Sequence, residues 1–76
     1  MIYPLHKIDS ICELKKMLDD CFTPSSLETI FKKNKQNEFF ELLKNEYKEP
    51  TWYTTQNFLW YEKDYIFKCL GIEEAK

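Results

Sequence analysis

Apolar side chains recur along the first half of the chain at helical spacing. Ile11, Leu14, Leu18, Cys21 and Phe22 form one stripe, while Glu13, Lys15, Lys16, Asp19 and Asp20 fall elsewhere on the wheel. The spacing predicts a helix over residues 10–21, with Asp9 or Ser10 accepting from its first free backbone N–H groups. Pro24 cannot continue that helix but fits the first turn of a new one. Ser25 and Glu28 have the spacing of a capping box, and Leu27, Ile30 and Phe31 share a face, so a second helix starts at residues 24–26.

The apolar phase then jumps. Phe39, Phe40, Leu42, Leu43 and Tyr47 centre roughly 120° away from the preceding stripe on a continuous wheel. The polar run "KNKQN" sits at the jump. A turn at residues 34–36 is predicted, with Asn37 capping a third helix over about 38–47 that Pro50 ends.

Next comes "TWYTTQNFLWYEKDYIF", with seven aromatic residues in seventeen. Its Thr, Tyr, Trp and Phe suit a β-hairpin. A two-residue hairpin turn at Gln56–Asn57 wants positive φ, however, and no Gly is supplied. The helical reading has more support. Thr54 or Thr55 can cap it, and Asp64 precedes Lys68 by four residues. Gly71, the chain's only glycine, falls where a left-handed terminator is needed, with Ile72 packing back on Phe67. A fourth helix over residues 55–70 is expected, and it has no clean polar face. Phe58, Tyr61, Tyr65 and Cys69 make one stripe, Leu59, Ile66 and Leu70 a second, and Trp60 and Phe67 lie opposite the first. Such a helix is normally buried on several sides.

The opening "MIYPLHKI" reads as an extended arm docking Ile2, Tyr3 and Leu5 on the core, or as a short edge strand. The predicted fold is all-α: one domain over residues 1–76, a small compact bundle of about four helices, the last one central, with a short extended N-terminal arm.

Composition adjusts this picture. A chain of 76 residues buries only about 60–65% of its unfolded surface. Thirteen aromatic residues help it build a core from few side chains. Eleven Lys, no Arg and no Val, with Phe, Tyr, Met, Ile, Asn and Lys making 34 of 76 residues, indicate an AT-rich genome, such as that of a low-GC bacterium, its phage or plasmid, or a similarly biased eukaryote or virus. The net charge of −2 is interspersed and gives no global pull toward nucleic acid or membrane. No apolar run reaches the ~18 residues of a membrane span, and the start does not resemble a signal peptide. Three scattered cysteines point to a reducing, cytoplasmic setting.

Candidate chemistry is sparse. His6 is the one histidine, and Cys12 is the thiol nearest to it in sequence. Neither the cysteine spacing nor the adjacent acids Asp19/Asp20 and Glu73/Glu74 suggest a metal site or an acid–base pair, and Cys21 and Cys69 read as small core residues. No enzyme activity, cofactor or metal is expected. The reading from sequence is a non-enzymatic, protein-binding module, in keeping with a small regulator or inhibitor of a phage, mobile element or low-GC bacterium. Its contact residues would be Trp52, Tyr53 and Trp60, types that interface cores favour. The alternative is a helix-turn-helix DNA binder over residues 25–48, with Lys32, Lys33 and Lys35 meeting phosphate. Glu38 and Glu41 at the start of its recognition helix and the absence of Arg weigh against that alternative. Stacking of single-stranded bases beside Lys63 and Lys68 meets the same objection from Glu62 and Asp64. A weaker third option is a homodimer through residues 55–70.

Overall fold

The structure is a computed structural model and describes residues 6–73. Five α-helices follow one another: α1 (Ile11–Lys16), α2 (Ser25–Lys32), α3 (Gln36–Glu46), α4 (Trp52–Tyr61) and α5 (Lys63–Leu70). A 3₁₀ turn, Met17–Asp19, extends α1. Among the described residues there is no strand, only an isolated antiparallel bridge between Lys7 and Thr51.

Ser10 caps α1, its side chain accepting from the Glu13 N–H. The helix stops short of residue 21 because Asp20 turns the chain. Asp20 is extended (φ −85°, ψ 125°), and its carboxylate accepts from the Phe22 N–H at 2.9 Å. Such a side-chain bond competes with the helical one. Leu14 and Met17 are buried, but Cys21 and Phe22 leave the stripe and become exposed.

α2 starts where expected, but without the Ser25–Glu28 capping box. Pro24 occupies the cap position with extended backbone, which places Ser25 inside the helix. At the other end Asn34 adopts φ 59°, a conformation that asparagine tolerates better than most residues. The Asn34 N–H donates to the Phe31 carbonyl at 3.0 Å and the Lys35 N–H to the Ile30 carbonyl at 2.9 Å. This paired closure ends α2 and sets the phase jump between the two apolar stripes. α3 begins at Gln36, so Asn37 lies within the helix and Lys35 holds the cap position.

A full capping box does form, at α4. The Thr54 N–H donates to Thr51 Oγ1 at 3.2 Å, and the Thr51 N–H donates to Thr54 Oγ1 at 2.8 Å. The aromatic stretch is therefore helical from Trp52, earlier than residue 55. Thr51→Ala should cost about 1 kcal/mol, read as a lower urea midpoint, and Thr51→Ser should restore most of it.

The expected single C-terminal helix is two. Glu62 departs from helical geometry (φ −120°, ψ 28°), although the Glu62 N–H still bonds the Phe58 carbonyl and the Ile66 N–H the Glu62 carbonyl. Phe58 and Phe67 are both buried. Nine residues apart, they would point about 180° from each other on a straight helix. The irregularity at Glu62 re-aims α5 so that both rings reach the core. Gly71, at φ 72°, then ends α5, and the Ile72 N–H donates to the Phe67 carbonyl at 2.9 Å with Ile72 buried.

The central element is α3, in place of the expected last helix. It packs against α1, α2 and α5, and its fully buried Phe39 stacks on Phe58 of α4 with ring centroids 6.2 Å apart. Tyr47 meets the same Phe58 edge-on at 5.6 Å. Residues 6–8 run extended beside the α3–α4 connection. The Ile8 N–H donates to the Pro50 carbonyl at 2.8 Å, and the Trp52 N–H donates to the His6 carbonyl at 2.9 Å. Ile8 is buried, while Ile2, Tyr3 and Leu5 lie outside the described residues. The Cα radius of gyration, 11.4 Å, is that of a well-packed chain of this length, for which about 11 Å is typical.

Candidate functional site

With this core in place, four aromatic side chains remain more than half exposed: Phe22 (58%), Tyr53 (56%), Trp60 (59%) and Tyr61 (80%). Three belong to α4. At about 100° per residue, Tyr53, Gln56, Asn57 and Trp60 fall within roughly 100° of one another, on one outward face. Tyr61 flanks that face.

Phe22 joins them through the loop at residues 20–23. The Trp60 indole Nε1 donates to the Phe22 carbonyl at 2.9 Å. Gln56 Nε2 lies 3.1 Å from Asp20 Oδ2 and 3.3 Å from Thr23 Oγ1, and donates to both. Asp20 thus has its carboxylate divided between the Gln56 amide and the Phe22 N–H. The loop is stitched to α4 by polar contacts, which fix its backbone and leave the Phe22 ring outside. The indole N–H is satisfied internally, so Trp60 presents its ring without an unmet donor.

Of the three contact residues expected from sequence, Tyr53 and Trp60 share this face. Trp52 does not. It is half-buried against the core beside the N-terminal segment, edge-on to the His6 ring at 6.0 Å, and its Nε1 is buried without a partner among the described residues. Sequence reasoning missed Phe22, placed on the core stripe of α1, and Tyr61, placed on a stripe with Phe58. The signal for Phe22 was present. Asp20 followed by Pro24 marks a turn that removes residue 22 from helical phase.

The lysine cluster lies at the α2–α3 turn. Lys32 and Lys33 are exposed, and half-buried Lys35 is 3.8 Å from Glu38 in the first turn of α3. Glu41 is exposed one turn further on.

Cys12, Cys21 and Cys69 are all free and exposed. For Cys21 and Cys69 this corrects the core assignment: the Asp20 turn moves the first outward, and the break at Glu62 leaves the second on the outer side of α5. His6 engages Glu13, not Cys12, and Lys16 meets the same carboxylate at 3.2 Å. The His6 contact, with Lys16 beside it, holds the Glu13 carboxyl below its ordinary range. Tyr65 donates to Glu46 Oε2 at 3.0 Å. That bond, together with the Cys69 thiol, pushes the Tyr65 phenol up to about 12, because ionisation would set a phenolate against a carboxylate. An ultraviolet titration should therefore show a phenol ionising above the ordinary tyrosine value, and Tyr65→Phe should delete that high-pH step.

Among the described residues no group of three or more His, Cys, Asp or Glu side chains is placed to hold a metal ion, and no helix is long and apolar enough to cross a membrane. Comparison with protein-family models, with curated proteins and with solved structures gives no match for this chain.

Proposed function

We propose that this chain is a small non-enzymatic module that binds another protein through the aromatic face of α4 and the 20–23 loop. One observation carries the reading: Phe22, Tyr53, Trp60 and Tyr61 are each more than half exposed although the core is already filled by Leu, Ile, Met and Phe side chains. Clustered exposed rings in a small domain mark an interaction surface. Trp and Tyr supply the largest share of binding energy at such surfaces. The setting is intracellular, in keeping with free thiols at all three cysteines. The AT-rich compositional bias suits a regulator or inhibitor from a phage, mobile element or low-GC bacterium.

Site-specific cross-linking in the source cell tests the reading. A photoreactive residue at Tyr61 should trap one discrete protein that survives nuclease, and the same residue at Lys33 should trap none. The opposite pattern would overturn it.

A DNA-binding reading keeps one observation in its favour, the short turn between α2 and α3 with Lys32 and Lys33 exposed beside it. Phosphate-driven binding weakens steeply with salt. Replacing Lys32, Lys33 and Lys35 together by Ala should abolish that mode and leave cross-linking at Tyr61 unchanged. Self-association through residues 55–70 is the third reading, and sedimentation over a range of concentrations decides it.

A further inference from the structure

The charges bordering the aromatic face narrow what can dock there. Next to Thr23, whose hydroxyl meets Gln56 of α4, lies a notch of about 360 Å³ lined by Leu18, Asp19, Thr23, Pro24, Ser25 and Glu28. Asp19 and Glu28 are exposed at this notch, and Asp20 lies beneath the loop with its carboxylate bonded only to an amide N–H and a side-chain amide. The ion pairs of the described residues lie elsewhere, at Glu13, Glu38 and Glu49. The lysines one helical turn away, Lys15 before Asp19 and Lys32 after Glu28, are exposed and form no ion pair with either acid. Lys16 is held by Glu13, and Lys63 lies over the Phe67 ring at 5.8 Å. Lys15 borders Asp19 from its other side without pairing to it. Among the described residues, then, Asp19 and Glu28 beside the aromatic face carry negative charge that no ion pair engages.

From this we infer that the occupant is a basic, amphipathic segment of another protein, with apolar side chains on Phe22, Tyr53 and Trp60 and a Lys or Arg reaching the notch between Asp19 and Glu28. The inference rests on the protein-binding reading and adds the chemistry of the partner. Complementary potential across an interface selects such a partner and steers its approach. A second copy of this chain fits poorly. A two-fold contact sets the same acid-edged patch against itself, so like charge would lie on both sides of it. An anionic membrane surface is repelled by the same acids.

A pair of synthetic amphipathic peptides with identical apolar faces tests the inference, one carrying Lys and Arg on its polar face and the other Glu. Each is titrated into the ¹⁵N-labelled full chain. The cationic peptide should move the Trp60 indole N–H, the Phe22 amide and the Gln56 side chain. The anionic one should bind about tenfold more weakly, on the order expected from a few exposed charge pairs. Asp19→Asn combined with Glu28→Gln should close most of that gap without changing the fold.

Equal affinity for both peptides, lost in Trp60→Ala, would overturn the basic partner and leave the aromatic face standing. Shifts centred on Glu38 and Glu41, or a charge preference untouched by the double substitution, would overturn it too. So would binding to phosphatidylglycerol vesicles in place of peptide, or concentration-dependent self-association that moves the Trp60 signal. If neither peptide binds, the inference fails, and the cross-linking at Tyr61 still decides the reading beneath it.

Discussion

Phe39→Ala is expected to leave the domain barely folded. Phe39 is fully buried in the central helix and stacks on Phe58, which also receives Tyr47 and Tyr65 edge-on. Removing a buried phenyl ring costs about 3–5 kcal/mol, through lost transfer energy and the cavity left behind. A chain of this size has on the order of 4–11 kcal/mol in total. The loss thus takes about a quarter or more of the stability, and all of it if the domain sits at the lower end. Urea denaturation followed by circular dichroism measures it. Phe39→Leu, which refills most of the volume, should recover at least half. Phe22→Ala is the control: an exposed ring of the same type should cost no more than about 0.5 kcal/mol. Equal losses at positions 39 and 22 would mean that the inner and outer sides of this fold are wrongly assigned.

The second large effect belongs to Trp60. Trp60→Ala should weaken partner binding by about 2 kcal/mol or more, some 30-fold in Kd. Stability should fall far less. Inside the domain the side chain contributes chiefly its bond to the Phe22 carbonyl, worth about 0.5–1.5 kcal/mol net. Trp60→Phe separates the two contributions, since it keeps an aromatic ring for the partner and removes the donor that holds the loop. If Trp60 and Phe22 act as one surface, the double variant Trp60→Ala, Phe22→Ala should lose less than the sum of the singles. Isothermal titration against the cross-linked partner, with thermal melts in parallel, gives both quantities.

How much of this was legible in the sequence depended on whether the cause was local. Gly71 with Ile72, and the phase jump at Asn34, are local signals: one residue tolerates a left-handed backbone, and the hydrogen bonds that close the helix follow from it. Both elements end where the sequence predicts. The break at Glu62 has no local sign, for neither Gly nor Pro is near it. It arises because Phe58 and Phe67 both find room in the core from opposite sides of one helical register, a tertiary demand that periodicity on a single wheel cannot express. The capping boxes show the same division. Ser25–Glu28 has the motif but yields its cap position to Pro24, while Thr51–Thr54 lacks the usual acid and forms the box in full.

The candidate face divides likewise. Tyr53 and Trp60 are recognisable by residue type, Tyr53 also as a residue ahead of the expected helix and Trp60 as one off its main stripe. Phe22 was hidden because the apolar spacing of α1 runs on past the point where Asp20 turns the chain. Trp52 is drawn against the core because the segment at residues 6–8 pairs with the start of α4 and carries His6 onto its ring.

Hydroxyl-radical footprinting read by mass spectrometry tests the aromatic face most directly, because it reports side-chain exposure residue by residue. In the isolated protein Trp60, Tyr61, Tyr53 and Phe22 should oxidise readily, Trp52 more slowly and Phe39 hardly at all. With the cross-linked partner added, protection should fall on Phe22, Tyr53, Trp60 and Tyr61, leaving Tyr65 as reactive as before. Slow oxidation of Trp60 in the free chain, or protection by the partner confined to residues 32–41, would contradict the account.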